Sequence, residues 1–174
     1  MTSTTRYGVS SDHPASAFDS ASDVDDFALT PAERLLLEGL QRRGVRFVIV
    51  GMGAAVLEGA PLATQDLDLW IEEVGDERVR LAAADAGGFW ISGFGMQPPA
   101  FGGEGLERID VVLTVHGLGS FAIEYEQCVE REVDGLRVRV LPLERVIASK
   151  RTLNRAKDIA QLPALEATLL ARKG

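Results

Sequence analysis

Three acidic residues, Asp66, Asp68 and Asp110, have the types and spacing to do chemistry. In Thr64-Gln65-Asp66-Leu67-Asp68-Leu69-Trp70-Ile71, carboxylates alternate with Leu67, Leu69 and Ile71, the period-two pattern of a half-buried strand. Side chains two apart on a strand share a face and stand roughly 6.5–7 Å apart at the backbone. Two carboxylates on one face repel by about 1 kcal/mol at 4 Å in water, and by about 4 kcal/mol at an effective dielectric near 20. Such a pair beside apolar strands calls for a cation. Hard divalent ions such as Mg²⁺ take carboxylate oxygens and commonly hold substrate phosphates as well. Asp110 lies mid-strand between Ile109 and Val111, where a charge is costly unless paired, metal-bound or aimed into a cleft. If its strand neighbours the Asp66/Asp68 strand, the three acids suffice for two cations roughly 3.5–4 Å apart, the arrangement that serves phosphoryl displacement. Asp66 and Asp68 would bridge both ions. Asp110 would complete the ion that activates an attacking hydroxyl and could take its proton.

Upstream, Val50-Gly51-Met52-Gly53-Ala54-Ala55 leaves an apolar strand and enters a helix. Glycine at Gly51 and Gly53 would let phosphate oxygens approach the backbone, and a helix N-terminus offers unpaired N–H groups. A phosphate turn, paired acids and a later single acid follow the order expected of a nucleotide-dependent transferase. A dinucleotide fingerprint fits less well, because Val56 stands where a third glycine or alanine is needed.

The elements that must position these residues are legible in outline. Thr30-Pro31-Ala32-Glu33 combines an N-cap, a proline at the first helical position and a capping-box glutamate, and Gly44 ends the helix. A strand is expected at 46–50, a short helix at about 52–59 and a helix at 76–86. Residues 87–105, rich in Gly, Pro and aromatics, read as a long loop, with Trp90 and Phe101 either anchoring it or stacking a base or acceptor. A strand at 107–115, a short helix near 120–128 and a hairpin about Asp134-Gly135 follow. Two or three helices finish the chain, with Pro163 breaking the last segment or starting a new turn. The fold class is therefore α/β (α+β), a short mixed β-sheet flanked by helices.

Composition narrows the setting. The 174 residues carry a net charge of −8, and residues 1–29 hold Asp12, Asp19, Asp23, Asp25 and Asp26 against Arg6 alone. That segment is expected to be a disordered acidic tail, with one domain over 30–174. There is no broad basic footprint for duplex DNA, although Arg145, Lys150, Arg151, Arg155 and Lys157 gather locally. No apolar run approaches the length needed to cross a bilayer. Cys128 is the sole cysteine, which excludes an internal disulfide and a cysteine zinc cluster, and a reducing cytoplasm is the expected location. Cys128 itself reads as a small core residue and His116 as a strand-end or surface residue.

On these motifs the chain resembles the minimal nucleotidyltransferases of the DNA polymerase β superfamily, over roughly residues 31–170. Gly51, Ala54, Gly59, Thr64, Asp66 and Asp68 fill positions of the bacterial branch's signature, and Ile109-Asp110-Val111 fills the third-acid slot. Lys150 and the run Arg155-Ala156-Lys157-Asp158 match the Lys and Arg-x-Lys-Asp that close the domain beside the site. The resemblance implies Mg²⁺ or Mn²⁺, two ions, held by Asp66, Asp68 and Asp110. It implies an NTP bound by Gly51, Met52, Gly53, Thr64, Lys150, Arg155 and Lys157, with Lys150 a point cation for the triphosphate. The implied reaction moves an NMP from an NTP to an acceptor hydroxyl and releases pyrophosphate. The acceptor could be a tRNA end, a protein side chain or a small molecule.

Met52 occupies a position where the family uses Gly or Ser, and Leu62 one where many relatives carry Arg. Both remove phosphate-facing groups, so a nucleotide-binding or regulatory module without turnover is the alternative reading. Resemblance to small bacterial transferases adds a second, one component of a toxin–antitoxin pair with a partner protein. For Lys150, Arg155 and Lys157 an ordinary solvated helical face competes with the triphosphate role. For Asp110 the competitor is an ion pair with Arg108 or a tail arginine.

Overall fold

The computed structural model describes residues 27–174. Residues 1–26, most of the expected disordered tail, lie outside the described residues. Residues ahead of the capping box also pack onto the domain. Phe27 is buried with its ring over Gly53, and the Leu29 amide donates to Asp134 Oδ2 at 2.8 Å.

Helix α1 (Pro31–Arg42) is followed by β1 (Phe47–Ile49), α2 (Gly51–Leu57), β2 (Leu67–Ile71) and α3 (Glu77–Asp85). Then come β3 (Phe89–Ile91), β4 (Ala100–Gly102), β5 (Ile109–Val112) and α4 (Phe121–Tyr125). Strands β6 (Val129–Val133) and β7 (Leu136–Val140) precede α5 (Leu143–Leu153) and α6 (Ala156–Ala171). Five strands form one sheet in the order β5-β2-β1-β7-β6. It is mixed: β2 with β5 and β1 with β7 are parallel, while β1 with β2 and β6 with β7 are antiparallel. The short mixed sheet flanked by helices is thus the architecture found.

Central β1 is apolar at every position because both of its faces are covered. Leu67, Leu69 and Ile71 of β2 are buried as well, which leaves Asp68 the one charged residue within that strand. Helix α1 contributes Leu36, Leu37 and Leu40 to the core, and its N-terminus carries the expected reciprocal cap between Thr30 and Glu33. In the β6–β7 hairpin, Asp134 and Gly135 both have positive φ (49° and 78°), the backbone that an Asp-Gly two-residue turn requires.

Several boundaries differ from the sequence expectation. The 87–105 segment is not one loop: Phe89–Ile91 and Ala100–Gly102 pair antiparallel as a separate two-stranded ribbon. Its strands are three residues long and flanked by Gly and Pro, so no alternation could emerge. Trp90 does anchor it, packed on Phe101 with ring centroids 4.8 Å apart. The strand expected over 107–115 extends only over Ile109–Val112, after which the chain turns through 115–118. Pro163 neither breaks nor starts a helix but lies inside α6. It and Ile159, whose carbonyl loses its donor, are both exposed, so solvent replaces the missing bond. Among the described residues, no helix is long and apolar enough to cross a membrane.

Candidate functional site

Asp68 of β2 and Asp110 of β5 are register partners on adjacent parallel strands, so their side chains leave the sheet on the same face. Asp66 precedes β2 by one residue rather than lying within it. A local turn holds it, in which its amide donates to Thr64 Oγ1 at 3.2 Å. All three acids, with Thr64, line a cleft of about 630 Å³.

Gly51 closes the floor under Asp68. Its φ is +63°, and a Cβ there would overlap Asp68 Oδ2 and lie 2.8 Å from Cγ. No residue with a side chain can satisfy both the backbone and the carboxylate. Met52 also lines the cleft, its side chain largely buried. Gly53 departs from the expectation: the face lacking a side chain meets Phe27 and Ile49, and the residue is not among those lining the cleft. Its small size therefore serves core packing.

Facing the acids are the end of α5 and the start of α6, joined by Asn154 in the left-handed conformation (φ 48°). That sharp turn brings Lys150, Arg155, Lys157, Asp158 and Gln161 to the same cleft. Lys150 is not a solvated surface residue. It is 9% exposed and donates to Gln161 Oε1 at 2.8 Å and Asp158 Oδ1 at 3.4 Å. Arg155 takes both oxygens of Asp158, at 2.6 and 3.2 Å. Asp158 lies there as the Arg-x-Lys-Asp run implies, while Ser149 and Gln161 join the site without a sequence expectation. Gln161 could have been found from helical spacing, since it lies one turn beyond Lys157 and Asp158. His116 is exposed and lines the cleft, as do Val112 and Thr114.

The competing ion pairs for Asp110 are not formed among the described residues. Arg108 instead holds Glu33 through Nε (2.9 Å) and Nη2 (2.6 Å), Arg145 holds Glu124, and Arg151 holds Glu166. Burial pushes the Asp68 carboxyl up to about 6, and the charges of Asp110 and Asp66 push the same way. Lys150 and Lys157 oppose that shift without cancelling it. Among the described residues, no three His, Cys, Asp or Glu side chains already converge as a finished ligand set. The three acids line the same cleft, with Asp68 and Asp110 adjacent in register. Asp66, Asp68 and Asp110 offer only hard oxygens, which suits Mg²⁺ or Mn²⁺ and not a thiophilic metal. Cys128 is away from the cleft lining, and burial raises its thiol to about 11.

Two solved structures share this fold. The solution structure of the antibiotic-resistance factor ANT(2'')-Ia matches at 16% identity and a TM-score of 0.57, covering 82% of this chain and 84% of that one. The crystal structure of ANT(2'')-Ia in complex with adenylyl-2''-tobramycin matches at 16% identity and a TM-score of 0.55, over 80% of this chain and 88% of that one. No curated protein matches the sequence significantly. Residues 31–173 match the family described as "Nucleotidyl transferase of unknown function (DUF2204)". The match spans nearly all of the described domain, and the chain belongs to that nucleotidyl transferase family.

Proposed function

We propose that the cleft transfers an NMP from an NTP, with a divalent metal held by Asp66, Asp68 and Asp110, to an acceptor hydroxyl. The acceptor oxygen bonds to the α-phosphorus, the bond from that phosphorus to the bridging oxygen breaks, and pyrophosphate leaves. Asp110, at the strand edge and exposed, takes the hydroxyl proton. Mg²⁺ or Mn²⁺ bound at the three acids would neutralise charge developing on the phosphoryl oxygens. Lys150, Arg155 and Lys157, across the cleft, supply fixed positive charge for the triphosphate. Gly51 keeps Asp68 in place by giving its carboxylate room.

One observation supports this reading above the others. Asp68 and Asp110 stand side by side with no arginine partner among the described residues, and a cluster of cations faces them. The adenylylated tobramycin in the similar structure makes ATP the first donor to test and a small-molecule hydroxyl the first acceptor class. Met52 in the cleft wall favours one competing reading, a binding module without turnover. Pyrophosphate release separates the two. The protein is incubated with each NTP, Mg²⁺ and a panel of hydroxyl acceptors. Release that depends on acceptor and disappears in Asp66→Ala supports transfer. NTP binding without release in any combination supports the module.

A further inference from the structure

We infer that Asp158 is a positioning residue that clamps Lys150 and Arg155 into a fixed fork for the triphosphate, with Gln161 as the second anchor of Lys150. The inference rests on the nucleotide reading above and adds to it the means by which the cationic wall is built.

The geometry is that of a deliberate bridge between two helices. Asp158, in the first turn of α6, is fully buried. Its Oδ1 and Oδ2 receive Nη2 and Nε of Arg155, and Oδ1 also receives Lys150 Nζ from α5. The amine's second proton goes to Gln161 Oε1 at 2.8 Å. An ammonium has three protons, so one remains for the cleft that Lys150 lines. Arg155 engages Asp158 with one edge of its guanidinium, which leaves Nη1 uncommitted among the described residues. Both cations sit on long side chains that ordinarily sample many rotamers. Holding them beforehand removes that ordering cost from ligand binding.

Asp158 also subtracts a charge from the wall. Two opposite consequences can therefore be told apart. If its effect were only electrostatic, removing the charge would strengthen NTP binding. If it clamps, removing the charge weakens binding although the wall becomes more positive. A solely structural role would lower stability and leave affinity unchanged.

The test uses the full chain and three variants: Asp158→Asn, Gln161→Leu and Glu166→Gln. The last breaks the exposed Arg151–Glu166 pair, which also joins α5 to α6 but lies outside the cleft. ATP affinity is measured calorimetrically with Ca²⁺ in place of Mg²⁺, and acetylation of the Lys150 amine is followed by mass spectrometry without nucleotide. The clamp predicts ATP binding about ten-fold weaker in Asp158→Asn, a few-fold weaker in Gln161→Leu and unchanged in Glu166→Gln. It predicts Lys150 acetylation several-fold faster in the first two variants only. Equal or tighter ATP binding by folded Asp158→Asn overturns the clamp. Should that variant not fold, unchanged affinity and acetylation in Gln161→Leu overturn it instead. A wild-type protein that binds no ATP removes the nucleotide reading and the clamp's purpose with it, a result distinct from the variant outcomes.

Discussion

Two sets of carboxylates in this domain receive opposite treatment. Glu33, Glu58, Glu124 and Asp158 are almost completely buried, and each meets at least one arginine. Arg145 holds the Glu124 carboxyl below its ordinary range, and Arg155, with help from Lys150, does the same for Asp158. Asp66, Asp68 and Asp110 line a cleft with no arginine paired to them among the described residues, and Asp68 moves the other way, up to about 6. Among the described residues, each deeply buried acid has a cationic partner, and the three candidate acids of the cleft have none. Paired acids tie elements together: Glu33 joins α1 to the start of β5, and Glu58 joins the end of α2 to β6 and α6. The unpaired Asp68 carboxylate costs stability, which is expected of a group kept for a ligand.

The largest effect expected from this contrast is on activity. Asp68→Ala and Asp110→Ala should each lower nucleotidyl transfer by roughly a thousand-fold or more, with the fold intact by circular dichroism. A loss under ten-fold would mean that these acids do not support the chemistry.

Next in size is the converse experiment on a paired acid. Arg145→Met leaves Glu124 buried without its partner and should cost about 3 kcal/mol in urea unfolding, with ATP affinity little changed. An equal loss from Asp110→Asn would erase the distinction between the two sets.

Smaller, and opposite in sign, is the effect of Asp68→Asn on the metal-free protein. The folded carboxyl titrates near 6 and the unfolded one near 3.8. The folded state therefore holds the extra proton between these values, and wild-type stability falls as pH rises through about 6. The variant should be more stable than wild type by roughly 2 kcal/mol at pH 8, with the gap closing toward pH 4. Glu124 and Asp158 have the reverse dependence, since their contribution is lost as pH falls below the ordinary carboxylate range. An Asp68→Asn stability advantage that does not grow from pH 4 to 8 would contradict the Asp68 assignment.

The smallest effect sharpens the nucleotide side. Met52→Ser restores a hydroxyl to the cleft wall and should lower the KM for ATP by about two- to three-fold with kcat nearly constant. No change in KM would place the triphosphate elsewhere.

Legibility in the sequence followed the range of the interactions. The Thr30–Glu33 cap, the Asp134-Gly135 turn and the alternation around Asp68 depend on neighbours within a few residues, and all were readable. The β3–β4 ribbon was not, because three-residue strands framed by glycine and proline present no period. Phe27 looked like tail because the partner that orders it, Gly53, is distant in sequence. For the same reason Gly53 suggested phosphate when its need is space for an aromatic ring. The candidate acids could be named from spacing and Ile-Asp-Val context, yet their adjacency waited on the β2–β5 register. The Asp158 bridge needed the α5–α6 turn at Asn154, whose left-handed backbone no local motif announced.

Manganese titration in the presence of ATP, read by electron paramagnetic resonance, reports on metal binding at the three acids without requiring an acceptor. Wild-type protein should immobilise Mn²⁺ together with ATP, and Asp68→Asn and Asp110→Asn should each weaken that binding at least a hundred-fold while remaining folded. Binding of Mn²⁺ and ATP by both variants as tight as by wild type would contradict the claim that these acids hold the metal.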